Sequence, residues 1–272
     1  MTQRVEAARL ASALHLEFTR ANEAANRAVL SDMDDASSEA AAEATKAIAS
    51  AGQYLQQLRP VVSSLDYADE IKTLETFGQR FAEFQTLEEE ILPLAVENTN
   101  LKAQRLSFGA AQDAADAFSK AVRAATARAS GPQEAAAVGE RSIAALLQVQ
   151  VLQARHIAEP DEAAMTQMEA QMRALEGIAR KGLARLHELR PSASVGHPAG
   201  GAGLGEPLDE ADAALDRFMS LNREILELSR RNTNVRSLAM TLGRARVVSA
   251  ACEDQLRALE ASLQTHAFQA TR

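Results

Sequence analysis

FQTLEEEILPLAVENTNLKAQRLSFG (Phe84–Gly109) and FMSLNREILELSRRNTNVRSLAMTLG (Phe218–Gly243) align without a gap at an offset of 134 residues, with ten of 26 positions identical. The identities are Phe84/Phe218, Leu87/Leu221, Glu90/Glu224, Ile91/Ile225, Leu92/Leu226, Leu94/Leu228, Asn98/Asn232, Thr99/Thr233, Asn100/Asn234 and Gly109/Gly243. A second anchor lies upstream, where Leu55–Pro60 (LQQLRP) matches Leu186–Pro191 (LHELRP) at an offset of 131. The three-residue difference is an insertion, and it falls in SASVGHPAGGAGLGEP, residues 192–207. That Gly/Pro/Ser-rich stretch reads as a flexible loop. The chain is therefore a duplication, with residues 1–130 and 131–272 as two helical hairpin units that pack as one bundle.

Within each repeat the apolar residues step by three and four, the spacing of a helical seam. The first repeat reads Phe84, Leu87, Ile91, Leu94, Asn98, Leu101, Arg105, Phe108, and the second Phe218, Leu221, Ile225, Leu228, Asn232, Val235, Ala239, Leu242. After Gly109 and Gly243 the phase slips, and the seam resumes on Ala111, Ala115, Phe118, Val122 and on Ala245, Val248, Cys252, Leu259, Leu263. A slip at the same place in both repeats predicts a local change in helix winding.

The first helix of each hairpin is expected over about Thr2–Leu58 and Gln133–Leu189, stopped by Pro60 and Pro191 because a residue before proline leaves the α region. The second runs from about Asp66–Asp69 to Arg128, ended by Ser130-Gly131-Pro132, and from Glu206 to Phe268. Helices of about 55–60 residues would be about 80 Å long. A kink, or alternatively a full break, is expected near 32–35, where Asp34 and Asp35 form an acidic first turn, and near 159–161, with Pro160 at an N1-like position. The fold class is all-α: a long up-down-up-down four-helix bundle of two pseudo-twofold-related hairpins.

Composition agrees. There are 8 Phe, 2 Tyr, no Trp and one Cys, with 46% hydrophobic residues supplied largely by alanine. Scarce β-branched and aromatic residues exclude all-β and α/β folds. A net charge of −8 argues against nucleic acid, which needs a basic face and stacking platforms. No stretch reaches the 18 or so apolar residues of a membrane span. The expectation is a chain without a membrane segment, periplasmic if excised from a membrane receptor and cytoplasmic otherwise. Cys252 cannot form an internal disulfide and reads as a small buried hydrophobe.

Asn98 and Asn232 interrupt the seam, and two readings follow. A buried asparagine at a seam position fixes register. Alternatively, Asn98, Asn232, Arg105, Asn22 and Asn26 form a polar layer that binds a small ligand between helices. Lys102, Arg105, Arg236, Arg244 and Arg246 add positive charge after each N-T-N, to be solvated or paired with acidic neighbours. His156 and Glu159 share a helical face, but the paired E-x-x-H of di-iron bundles is missing and the other histidines (15, 187, 197, 266) are dispersed, so no metal or other cofactor is expected. Gly201, Gly203 and Gly205 follow no strand, and there is no Walker-type lysine, so no phosphate loop is expected.

EILPLAVENTNLK (Glu90–Lys102) and EILELSRRNTNVRSL (Glu224–Leu238) resemble the four-helix-bundle sensor modules of methyl-accepting chemotaxis receptors. The specific part covers about 20 residues of each repeat, and no ligand-binding residue carries over. The resemblance implies a non-enzymatic sensory bundle that takes a small molecule or a binding protein and passes helix shifts to a signalling segment. Lys102, Gln104 and Arg105 depart from that family's signalling-hairpin tip. A second resemblance, to flagellar export chaperones, implies instead a cytoplasmic scaffold for a partner helix. A homodimer is compatible with either.

Overall fold

The computed structural model describes residues 2–189 and 206–269, and among these every regular element is helical. In chain order they are α1 (Thr2–Leu30), α2 (Asp34–Ser64), α3 (Ala68–Glu97), α4 (Thr99–Leu106), α5 (Gln112–Thr126), α6 (Pro132–Ala158), α7 (Glu162–Glu188), α8 (Glu206–Arg231), α9 (Thr233–Met240) and α10 (Arg246–Gln269). A π-helical turn joins α4 to α5 at Ser107–Ala111, and another joins α9 to α10 at Thr241–Ala245. These turns are the winding change expected after the seam. Each admits one extra residue, which rotates the apolar face by about 100°.

The helix lengths depart from the expectation. Both expected breaks are complete: α1 stops at Leu30 and α6 at Ala158, and each next helix folds back on it. Ser31 Oγ lies 3.0 Å from the Met33 carbonyl, tying the first turn. Asp161 caps α7 by accepting from the Ala164 N–H at 2.8 Å. Pro160 therefore precedes the cap and is not at N1, which is Glu162. Pro60 does not end its helix; α2 runs on to Ser64. Pro60 is exposed and near the helix end, so its missing N–H costs one hydrogen bond facing water. The turn comes at Asp66, with φ 54°. Pro191 and most of the Gly-rich loop lie outside the described residues.

A third pair of breaks was not expected. Asn98 and Asn232 adopt the left-handed conformation, with φ 51° and 52°, and separate α3 from α4 and α8 from α9. The compact units follow these breaks and not the repeat boundary: one comprises residues 1–98 and 233–272, the other 99–232. In the first, α1 packs on α2, α2 on α3, α3 on α10 and α10 on α1. In the second, α5 packs on α6, α6 on α7, α7 on α8 and α8 on α5. Each unit thus takes three helices from one repeat (α1–α3 or α6–α8) and two from the other (α9 and α10, or α4 and α5).

The first core is alanine where α1 meets α2 (Ala21, Ala24, Ala28, Ala44, Ala47, Ala51) and aromatic on α3. Phe18 meets the Phe77, Phe81 and Phe84 rings with centroids 6.0, 6.2 and 5.1 Å away. The second is built on Phe118, Phe218, Leu146 and the methionines Met168, Met172 and Met219. Phe108 and Leu242 leave the expected seam and are 64% and 61% exposed, because the break and the π turn hand the buried face to Ala103, Ser107, Ser237 and Ala245.

Candidate functional site

The N-T-N asparagines are built into the cores as reciprocal ties. In the first unit Asn98 Oδ1 accepts from Asn234 Nδ2 at 2.8 Å, and Asn98 Nδ2 donates to Asp34 Oδ1 at 3.2 Å. In the second, Asn232 Oδ1 accepts from Asn100 Nδ2 at 2.7 Å, and Asn232 Nδ2 donates to the Glu159 carbonyl at 3.0 Å. Asparagine is one of the few L-residues that tolerates the left-handed well. Here it also bonds the third residue of the other N-T-N, so one side chain sets both the backbone break and its register.

The five residues of the expected polar layer are divided between the two units. Asn98 belongs to the first unit, while Asn232 and Arg105 belong to the second. Asn22 and Asn26 are half-buried on α1 and hydrogen-bond to neither asparagine, and Arg105 is exposed on α4. Arg244 is paired with Glu83 Oε1 at 2.9 and 2.8 Å. Cys252 is buried, and burial pushes its thiol up to about 12, far from reactivity.

His156 has a different partner from the expected Glu159. It is buried on α6, with Nδ1 2.8 Å from Ser229 Oγ and Nε2 3.1 Å from Glu169 Oε1. Burial holds the imidazole below its ordinary value, against the pull of Glu169. Arg230 Nε donates to Glu169 Oε1 at 2.6 Å and holds that carboxyl below the usual range. The Ser–His–Glu order is that of a nucleophile, base and orienter, but Ser229 Oγ is fully buried and lies 2.9 Å from the His156 carbonyl. The chain ties α6, α7 and α8 together. Among the described residues no three His, Cys, Asp or Glu side chains cluster as metal ligands.

The feature best suited to a ligand lies in the first unit, along α2 and α3. Small residues on α2 (Ala41, Ala42, Thr45) face Leu92, Val96 and Glu88 on α3 across a largely apolar groove of about 840 Å³. Glu88 is only 3% exposed, its Oε2 has no hydrogen-bond partner, and burial raises its carboxyl to about 7. The seam reading passed over it, because Glu88 sits beside the seam between Leu87 and Ile91. One signal was available: its repeat counterpart is Asn222, also polar at a core-facing position.

The counterpart positions in the second unit are hydrogen-bonded to one another. In the second unit Gln153 Nε2 donates to Asn222 Oδ1 at 2.8 Å, and Gln153 Oε1 accepts from Ser107 Oγ at 2.9 Å. The buried positions of α6 match those of α1 at an offset of 128, which places Ala25 where α6 carries Gln153. Ser107 corresponds to Thr241. The corresponding positions of the first unit are therefore Glu88 and Thr241, with Ala25 where the second unit has the amide. Glu88 Oε2 and Thr241 Oγ1 are the buried side-chain atoms left without partners among the described residues.

No helix of the described residues is long and apolar enough to cross a membrane. No protein-family model matches this chain, and no curated protein matches it at a level that would carry an argument.

Proposed function

We propose that this chain is a non-enzymatic sensory module, that each of its helical units is a four-helix bundle, and that the first binds a small molecule along α2 and α3. The observation that carries this reading is the groove itself. It is concave, apolar and of the size that small-molecule sites have, with one polar group placed to orient a ligand. Its position suits a sensor. Glu97 lines the groove, and the next residue, Asn98, is where the chain leaves the first unit for the second. A ligand that prefers one packing of α2 on α3 has a direct lever on that break, and differential affinity for two packings is all a switch requires. The chemoreceptor resemblance of the N-T-N helices supports the same reading.

A thermal-shift screen of the full chain with amino acids, organic acids, alcohols and amines tests it. A ligand present at a hundred times its Kd adds about 2.7 kcal/mol, a shift of several degrees. That shift should vanish in Ala42→Phe, which fills the groove from an exposed position on α2. A screen in which nothing raises Tm overturns the proposal.

The alternative, a scaffold for a partner helix, draws on Phe108 and Leu242, exposed apolar residues at matching places in the two repeats. It requires Phe108→Ser and Leu242→Ser to abolish a stoichiometric complex while leaving Tm unchanged.

A further inference from the structure

We infer that the ligand of the α2–α3 groove is an organic cation, an ammonium head on an apolar body, with Glu88 as its counter-charge. The inference rests on the groove being a ligand site and adds the chemical class.

Three observations carry it. First, a carboxyl that is 97% removed from solvent and without a hydrogen-bond partner is rare, because leaving a buried acceptor unmade is costly. Such groups mark places where a partner is supplied from outside. Second, the second unit shows what that partner does. There Asn222 receives an amide N–H from Gln153, and the first unit has Ala25 in place of the donor. It has also exchanged the neutral amide of Asn222 for a carboxyl, which once ionised only accepts, and a cationic donor is favoured over a neutral one. Third, the groove offers that cation no competitor. Glu88, Glu89 and Glu97 line it, no lysine or arginine does, and the rest of the wall is mainly alanine, leucine, valine and isoleucine. An anion would meet the carboxyl unscreened, and a polar cation would leave the apolar wall unused.

Titration calorimetry of the full chain with 2-phenylethylamine, 2-phenylethanol and 3-phenylpropionate tests the class, since the three probes share a ring and differ in the head group. The amine is expected to bind with unit stoichiometry, at least tenfold more tightly than the alcohol, with no measurable binding of the carboxylate. Glu88→Gln, which keeps the size of the side chain, should weaken the amine at least tenfold and leave the alcohol unchanged. Ala42→Phe, with Glu88 intact, should abolish binding of both. If the alcohol binds as tightly as the amine, or Glu88→Gln binds the amine as well as the native chain does, the cation assignment is overturned and the groove remains a ligand site. If none of the probes binds and the broad screen is silent as well, the groove reading falls with it.

Discussion

Asn98 carries two demands that most residues cannot meet together, a left-handed backbone and a pair of buried hydrogen bonds. Substitutions can separate them. Asn98→Gly keeps the backbone at ease and loses the side-chain bonds, an expected loss of about 1–2 kcal/mol in urea unfolding. Asn98→Ala loses the same bonds and adds the left-handed penalty of about 1–2 kcal/mol. Equal losses in the two variants would mean that the break is not maintained by asparagine's backbone tolerance. Glu88 is the opposite case, a side chain that weakens the fold it sits in. Its carboxyl is raised from about 4.5 to about 7 by burial, so the folded chain holds a proton that the unfolded chain releases. Stability from this group is present below about pH 4.5 and is lost as pH rises to about 7. The loss is on the order of 3 kcal/mol at most. Glu88→Gln is therefore expected to raise stability at pH 8 and to change it little at pH 4.5. A variant less stable than the native chain at pH 8 would show that Glu88 has a partner in the folded state.

At the level of helices, corresponding positions hold polar groups in one unit and alanine in the other. Ala28 and Ala95 answer to His156 and Ser229, and the first unit spans that level with Ser37, whose Oγ lies 2.9 and 3.0 Å from their carbonyls. Ala25 answers to Gln153 one turn further in. Gln153→Ala should orphan Ser107 and Asn222 together and cost about 1–3 kcal/mol, while Ala25→Gln should supply the amide that Glu88 and Thr241 lack and raise Tm. A lowered Tm in Ala25→Gln would show that the first core has no room for the bridge.

Little of this level was legible in the sequence, for a geometric reason. The α3 and α8 helices share identities that fix their alignment, whereas α1 and α6 share burial but almost no residues, so their offset of 128 emerges only from the packing. The helical class, the duplication and the winding change at Gly109 and Gly243 were legible, because each rests on spacing that repeats. The breaks at Asn98 and Asn232 were not. An asparagine at seam spacing reads equally well as a register device inside a continuous helix, and its left-handed conformation leaves no mark on the apolar pattern. Pro60 misled in the opposite sense, since a proline near a solvent-facing helix end breaks nothing.

Across the whole molecule, the two units carry buried titratable groups that pull in opposite directions with pH. In the first, Glu88 lines, with Glu89 and Glu97, a groove without lysine or arginine, and stability falls as pH rises from about 4.5 to about 7. In the second, His156 is packed against Ser229, Glu169 and, through Glu169, Arg230. Burial lowers its imidazole from the ordinary 6.5. The unfolded chain takes up a proton there before the folded chain does, so stability is full above about pH 6.5 and is lost as pH falls below it. The Glu169–Arg230 pair acts in the same sense, but only below the carboxylate range. Between pH 5 and 7.5 the first unit should therefore loosen with rising pH while the second tightens. Amide hydrogen exchange, corrected for the intrinsic effect of pH, reads the two separately. Protection in α3 is expected to fall across this range and protection in α8 to rise, since native-state exchange reports local opening unit by unit. Glu88→Gln should flatten the first trend alone, and His156→Gln the second alone. If α3 and α8 move together, or if either substitution flattens both trends, the chain opens as one cooperative body, and the second helix set cannot be read as an independent reporter of events in the first.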